Sequence, residues 1–168
     1  MSAPTAYVPV GDLRALVDAP DLALVSGHTW RPLRGHNGKV YAYANRNGLI
    51  YMHRLILGTP PGMETDHRNG DGLDNRRANL RVATPSQNSA NMGKPARPDR
   101  SAHTSRFKGV SWDRTRQKWL AKICLNGLHR NLGRYESESD AAHAYDRAAI
   151  EAWGEFASVN LPTQVIVW

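Results

Sequence analysis

Four polar residues in the middle of the chain have the types and spacing that hydrolytic chemistry needs. Asp66 and His67 are adjacent, Asn79 stands twelve residues after His67, and Asn88 nine beyond that. A carboxylate and a carboxamide oxygen suit one hard divalent ion, and an imidazole beside them suits a general base working near neutral pH. Between His67 and Asn79 runs a polar loop containing Asn69, Gly70, Asp71, Gly72, Asp74 and Asn75. Arg68, Arg76, Arg77 and Arg81 are candidate grips on an anionic substrate.

Such a set works only if strand, loop, strand and helix bring it together. Adjacent residues of a regular strand point to opposite faces, so Asp66 and His67 can share a site only where their strand ends. Asn69-Gly70 supplies that break, and Leu80 and Val82 alternate as the return strand. Thr84-Pro85-Ser86-Gln87 then predicts a helix start, with Thr84 as N-cap, Pro85 at the first helical position and Gln87 closing a capping box. Asn88 falls one turn into that helix, with Asn91 three residues later on the same face.

The flanking segments are the support. Residues 1–12 read as a short mobile lead. From Leu13 to Leu57 the pattern is of short strands: Ala15 to Val17, Leu22 to Val25, and the hairpin KVYAYANRNGLIYMHRL, which a Trp30-containing strand joins. Val40, Ala42 and Ala44 alternate there against Tyr41 and Tyr43. His53, in YMHRLIL, reads either as a buried, hydrogen-bonded structural histidine or as a group standing behind the site. Thr59-Pro60-Pro61-Gly62 is a stiff turn that delivers the chain to Met63.

Residues 93–105 carry two prolines and no apolar periodicity, which marks a linker. Beyond it, Phe107 to Trp112, Lys118 to Leu125 and Leu128 to Tyr135 read as three strands, with Asn126-Gly127 as a type I′ hairpin turn. Ser137 and Asp140 cap an alanine-rich helix running to about Trp153. Residues 106–134 hold eight basic groups against one acid, whereas residues 136–155 hold six acids against one arginine. A sheet so basic beside a helix so acidic is a module with one anion-seeking face, and strands can read DNA from the major groove.

The whole chain agrees. Its 168 residues carry a formal charge of +7, which favours an anionic partner, nucleic acid before membrane. A single cysteine, Cys124, excludes a disulfide framework and a four-cysteine zinc site. No signal peptide and no apolar run near membrane-spanning length is visible, so a soluble, cytoplasmic protein is expected.

The order and spacing of Asp66-His67, Asn79 and Asn88 within METDHRNGDGLDNRRANLRVATPSQNSAN resemble the HNH nucleases, whose fold is the ββα-metal finger. The resemblance implies that His67 is the general base and that Asp66 and Asn88 hold one Mg²⁺ or Mn²⁺, with no zinc. Asn79 would hold His67 or its loop in orientation. Asn88 replaces the last histidine of the family name, as in phage-type homing enzymes. HNH proteins with this kind of N-terminal sheet commonly have a histidine at the place of His53. The later motifs, FKGVSW, KWLAKI, LGRY and SESDAAHAYDRAAIEAWGEFASVN, resemble the Apetala/ethylene-response-factor (ERF) DNA-binding domain. That likeness puts Lys108, Ser111 and Lys122 on the DNA-facing side. Cys124 and Asn131 stand where an arginine and a tryptophan are expected, so the plant sequence preference does not carry over.

The expectation is therefore an α+β chain. A nuclease domain with β-rich N-terminal support spans 1–92, a linker 93–105, an ERF-type sheet plus helix 106–160, and a tail 161–168. The implied function is metal-dependent, homing-type cleavage of double-stranded DNA, with a monomer as the plausible state. Arg76, Arg77, Arg106, Lys108, Ser111, Arg114, Arg116, Lys118, Lys122 and Arg130 are the expected DNA contacts, and His53 and Asn91 stand behind the site. The alternative is a non-catalytic DNA-binding regulator on a relic nuclease fold.

Overall fold

The computed structural model describes residues 3–35, 38–45, 48–93 and 104–161. The chain divides into two compact units, Met1–Asn88 and Ser89–Trp168. Both are mixed α+β built on small antiparallel sheets.

The first unit begins with a hairpin of β1 (Thr5–Val10) and β2 (Leu13–Asp18), whose Val8, Val10, Ala15 and Val17 are buried. A short helix α1 (Leu22–Val25) follows. A three-stranded sheet comes next, in the order β3 (Arg31–Arg34), β4 (Val40–Asn45), β5 (Leu49–Tyr51). Helix α2 (Met52–Leu57) leads to the antiparallel pair β6 (Glu64–His67) and β7 (Leu80–Ala83), and then to α3 (Pro85–Asn91). One apolar cluster, including Val10, Val25, Trp30, Ala42, Met52, Ile56 and Leu80, ties these pieces together. Strand–loop–strand–helix thus emerges where the spacing predicts it. The capping box forms in full: Gln87 N donates to Thr84 Oγ1 (3.2 Å) and Thr84 N to Gln87 Oε1 (2.8 Å).

Three expectations change. The expected mobile lead of residues 1–12, of which 1 and 2 lie outside the described residues, contains a strand, because Thr5 to Val10 pairs along its whole length with β2. Its inward Ala6, Val8 and Val10 alternate regularly, but Pro9 and the short length hide the pattern. Leu22 to Val25 is a helical turn rather than a strand. Ala19-Pro20-Asp21 starts a 3-10 turn, and Val25 alone of the four is buried, with the Trp30 indole donating to its carbonyl (2.9 Å). LIYMHRLIL is a strand only to Tyr51. From Met52 it is helix, since Met52, His53 and Ile56 bury at helical spacing and the helix ends at Gly58. Arg46-Asn47, most of the linker and all but Leu161 of the tail lie outside the described residues.

The second unit holds β8 (Val110–Asp113), β9 (Lys118–Leu125) and β10 (Leu128–Tyr135) in one antiparallel sheet, packed by helix α4 (Glu138–Trp153). Asn126 and Gly127 both have positive φ (50° and 81°), as a type I′ turn requires. Ser137 Oγ accepts from Asp140 N (3.2 Å), capping α4. Ala141, Ala142, Ala144 and Ala149 are buried, so small side chains let the helix lie close on the sheet.

One glycine of the first unit sits under the site. A Cβ on Gly72 would lie 2.5 Å from Tyr41 Cδ1 and would also strike the Val40 carbonyl. Gly72→Ala should therefore cost about 1–3 kcal/mol, as overpacking does. A lowered midpoint in thermal unfolding checks this, and an unchanged midpoint would show that the loop moves freely away from β4.

Candidate active site

Strand pairing continues through Asp66↔Arg81 and His67↔Leu80, and the chain turns just after, where Gly70 N donates to His67 O (2.8 Å). His67 therefore sits on the last rung of the ladder. Its ring is buried, with centroids 5.0 Å from His53 and 5.9 Å from Tyr41. His53, on the first turn of α2, stacks on Tyr51 at 5.3 Å and meets Tyr41 edge-on at 5.7 Å. An imidazole pair walled by two tyrosines is a poor place for positive charge. Burial, then the neighbouring His67 and Arg54, pushes His53 down from the ordinary 6.5 to about 3. Burial likewise lowers His67, opposed by its hydrogen bond to Asn75 and by the charge of Asp66.

His67 Nε2 lies 3.3 Å from Asn75 Oδ1, while Asn75 Nδ2 donates to Leu73 O at 3.3 Å. With that amide orientation Asn75 presents an acceptor to Nε2, which assigns the proton to Nε2 and leaves Nδ1 as the basic nitrogen. Asn75 is completely buried. It is the residue that reading the sequence left among the loop asparagines, and only its backbone placement singles it out.

Asn79 does not touch the imidazole. Its Oδ1 accepts from Asn69 N (3.0 Å), and its Nδ2 donates to Asn69 Oδ1 (3.0 Å) and Asp74 O (2.8 Å). It clamps the loop on both sides, so of the two arrangements expected for it the contacts seen are those with the loop.

Asp66 is buried and its Oδ2 accepts two bonds from Arg81, both at 2.7 Å. Arg81 is 7% exposed, so it fixes the carboxylate rather than reaching out to a substrate. Glu64, two residues earlier, occupies the same strand face as Asp66. Asn88 Nδ2 donates to Glu64 Oε2 (2.5 Å), so α3 is tied to β6 on the Asp66 face and the amide oxygen is left for another partner. Glu64, Asp66 and Asn88 together offer hard oxygen donors on one face, a chemistry that fits a divalent ion of the Mg²⁺ or Mn²⁺ type. Glu64 was not anticipated, although its i−2 relation to Asp66 was readable. Asn91 falls in the second unit.

The loop arginines are occupied. Arg76 forks onto Asp74 (2.7 and 2.8 Å), which holds that carboxyl below its usual range. Arg77 grips Asp21 with contacts of 2.8 to 3.2 Å.

In the second unit, pairing puts Ser111, Lys118, Leu120, Lys122, Cys124, His129, Asn131 and Arg134 on the sheet face away from α4. Lys122 and Ser111 are exposed there, while Lys118 bonds Glu136 (2.7 Å) and Arg134 bonds Asp113 (2.8 Å). Arg114 and Arg116 lie exposed in the β8–β9 turn, and Arg106 stacks over Phe107 at 4.8 Å. Two expected contacts stand apart. Lys108 Nζ donates to Ala90 O (2.8 Å) and Met92 O (2.6 Å) within this unit, and burial lowers its pKa. Arg130 pairs with Ile123, in the register of the helix-packed face, although its side chain is exposed. Arg134 joins the outward row instead; the irregularity between Asn131 and Gly133 decides which β10 side chains face out, and no sequence pattern reveals it.

The comparisons with known proteins fall on these elements. The family model for HNH endonucleases matches residues 51–90, from the end of β5 to α3. An uncharacterised HNH endonuclease of Acanthamoeba polyphaga mimivirus is 30% identical over 152 residues, covering 87% of this chain and 74% of that protein. The chain belongs to the HNH endonuclease family. This HNH endonuclease is also 34% identical to protein 3.8 of Escherichia phage T7 over 98 residues, or 58% of the chain and 76% of the phage protein. Its C-terminal part is similar to an ethylene-responsive transcription factor of Arabidopsis thaliana, 38% identical over 61 residues, which is 36% of the chain and 14% of the plant protein. No solved structure matches it. The HNH endonuclease acts on DNA, and enzymes of its family generally use a divalent metal ion.

Its buried histidines have a consequence for stability. The unfolded chain protonates His53 near pH 6.5, whereas the folded chain resists until about pH 3. The stabilisation from keeping His53 neutral is thus complete above the unfolded value and is lost as pH falls toward the folded one. Thermal stability of the HNH endonuclease should fall between about pH 7 and pH 4 more steeply than that of His53→Phe, by up to about 1.4 kcal/mol per pH unit. Parallel pH profiles for the two proteins would show that His53 is protonated without cost.

Proposed function

We propose that the chain is a metal-dependent, homing-type endonuclease that hydrolyses phosphodiesters of double-stranded DNA. The first unit cuts, and the sheet of the second holds the enzyme on its target. The observation that carries this reading is the juxtaposition at the end of β6. His67, kept neutral by burial and with its Nε2 facing Asn75, ends β6 one rung after Asp66. Alternation turns the two side chains to opposite faces, Glu64 and Asn88 lie on the Asp66 side, and the end of the strand at His67 lets both sides reach one phosphate.

His67 Nδ1 takes the proton of the attacking water, and the walls of Tyr41 and His53 keep the ring uncharged until that moment. Asp66, oriented by Arg81, and Asn88, oriented by Glu64, would hold one Mg²⁺ or Mn²⁺. When bound, the ion supplies charge neutralisation at the phosphate and stabilisation of the leaving oxygen. Asn79 keeps the loop closed around the base. On the second unit, the exposed Ser111, Lys122, Arg114 and Arg116 supply backbone contacts. A monomer suffices for these roles, and the cytoplasm of a phage-bearing cell is the compartment that suits them.

Supercoiled plasmid should be nicked or linearised with Mg²⁺ or Mn²⁺ and left intact with EDTA. His67→Ala should lower the rate by about 10²–10⁴-fold, as loss of a general base does. Cleavage by His67→Ala at the wild-type rate would assign the base elsewhere, and DNA binding without any cleavage by wild type would favour a regulator. Lys122→Ala combined with Arg116→Ala should weaken binding and reduce the salt slope by about 1–2. An unchanged slope would move the DNA-facing surface off this sheet.

A further inference from the structure

The matched family segment begins at residue 51, so the β1–β2 hairpin and α1 lie wholly outside it. Support for the core explains their buried face. It does not explain a second set of contacts, all of which end on the loop that follows His67.

These contacts form a continuous path. β2 meets the loop as a short parallel bridge, Leu16↔Asp74, with Leu16 N donating to Leu73 O (2.8 Å) and Asn75 N donating to Leu16 O (2.7 Å). The two residues held in this way are the two that orient the base: Leu73 O fixes the Asn75 amide, and Asn75 Oδ1 faces His67 Nε2. Two residues further on, Arg77 N donates to Asp18 Oδ2 (2.9 Å), and the Arg77 guanidinium is bidentate on Asp21. Asp21 is 6% exposed, and Arg77 is its charge partner among the described residues. A buried carboxylate left without its cation is costly, so the pair closes the loop onto the hairpin with geometric specificity that a surface ion pair lacks.

We infer that the N-terminal hairpin and the 3-10 turn after it form a positioning element of the catalytic centre, in which Leu16, Asp18 and Asp21 hold the 73–77 loop so that Asn75 presents His67 in one tautomer. Arg77 is on this reading a positioning residue and not a grip on DNA. The inference rests on the proposed role of His67 as base, but the device itself is a matter of geometry that can be measured without turnover.

The test uses the full chain and three variants, Asp21→Asn, Arg77→Ala and Asn75→Ala, with Asp21→Asn keeping the side-chain shape where the others risk misfolding. Cleavage of a plasmid substrate in Mg²⁺ should show kcat lowered by about 10²-fold with KM and DNA affinity unchanged, the signature of a misplaced reacting group. Asp21→Asn and Arg77→Ala combined should cost no more than the worse of the two. Long-range proton–nitrogen NMR of His67 should give the Nε2–H tautomer in wild type and a tautomer mixture in all three variants. Normal kcat in Asp21→Asn with the Nε2–H tautomer retained would overturn the inference, and so would an Arg77→Ala defect confined to KM and the salt slope. If wild type does not cleave, the NMR comparison alone decides: loss of the single tautomer in the variants upholds the positioning device while the nuclease reading fails, and its retention refutes the device.

Discussion

A loop that is both polar and buried must answer every one of its own donors and acceptors, and the loop after His67 shows what that demand produces. Asp74, Asn75 and Asn79 are all but withdrawn from water, where an unpaired amide or carboxylate would cost more than any single contact returns. The solution is dense. Asn79 clamps Asn69 and the Asp74 carbonyl, Asp74 takes Arg76 and Asn69, and Asn75 spans Leu73, Leu16 and His67. Once these partners are satisfied, the loop has essentially one conformation, and the imidazole at its root inherits that rigidity. The strand, the return strand and the helix start are ordinary elements that this network turns into a site.

Much of the fold could be read from residue patterns because its signals are local. Thr84 to Gln87 forms the capping box that its residue types describe, and Asn126-Gly127 takes the backbone angles that such a pair favours. Ser137 caps α4 as expected. The errors fall where the deciding contact is distant. MHRLIL is apolar enough for strand or helix, and packing against β4, β6 and β7 settles it. The pairing of Thr5–Val10 with β2 overrides a proline that argues for a loose terminus.

The site follows the same division. Asp66, His67, Asn79 and Asn88 are candidates by type and spacing alone; Asp66 and His67 end β6, Asn79 precedes β7 and Asn88 lies in α3. The contacts of Asn75, Glu64, Arg81 and Asp21 are not legible in that way, because they lie in whom these residues touch across 8 to 56 residues of chain. Arginines are the sharpest example. Arg76, Arg77 and Arg81 look alike in sequence as cations near a candidate centre, yet each is spent on a particular carboxylate: Asp74, Asp21 and Asp66. Counting positive charge overestimates what is available to a polyanion whenever acids lie within reach in the fold.

The second unit separates its charges by side: exposed Lys122, Arg114 and Arg116 belong to the sheet and its turn, while exposed Asp140, Glu151 and Glu155 belong to α4 or its end. Two opposed poles across one small body make it behave like a compass needle in an external field. Near a phosphate polyanion the needle experiences a torque at separations up to a Debye length, about 8 Å in physiological salt, before any atom touches. The acidic helix is thus the side that such a field turns away from a polyanion.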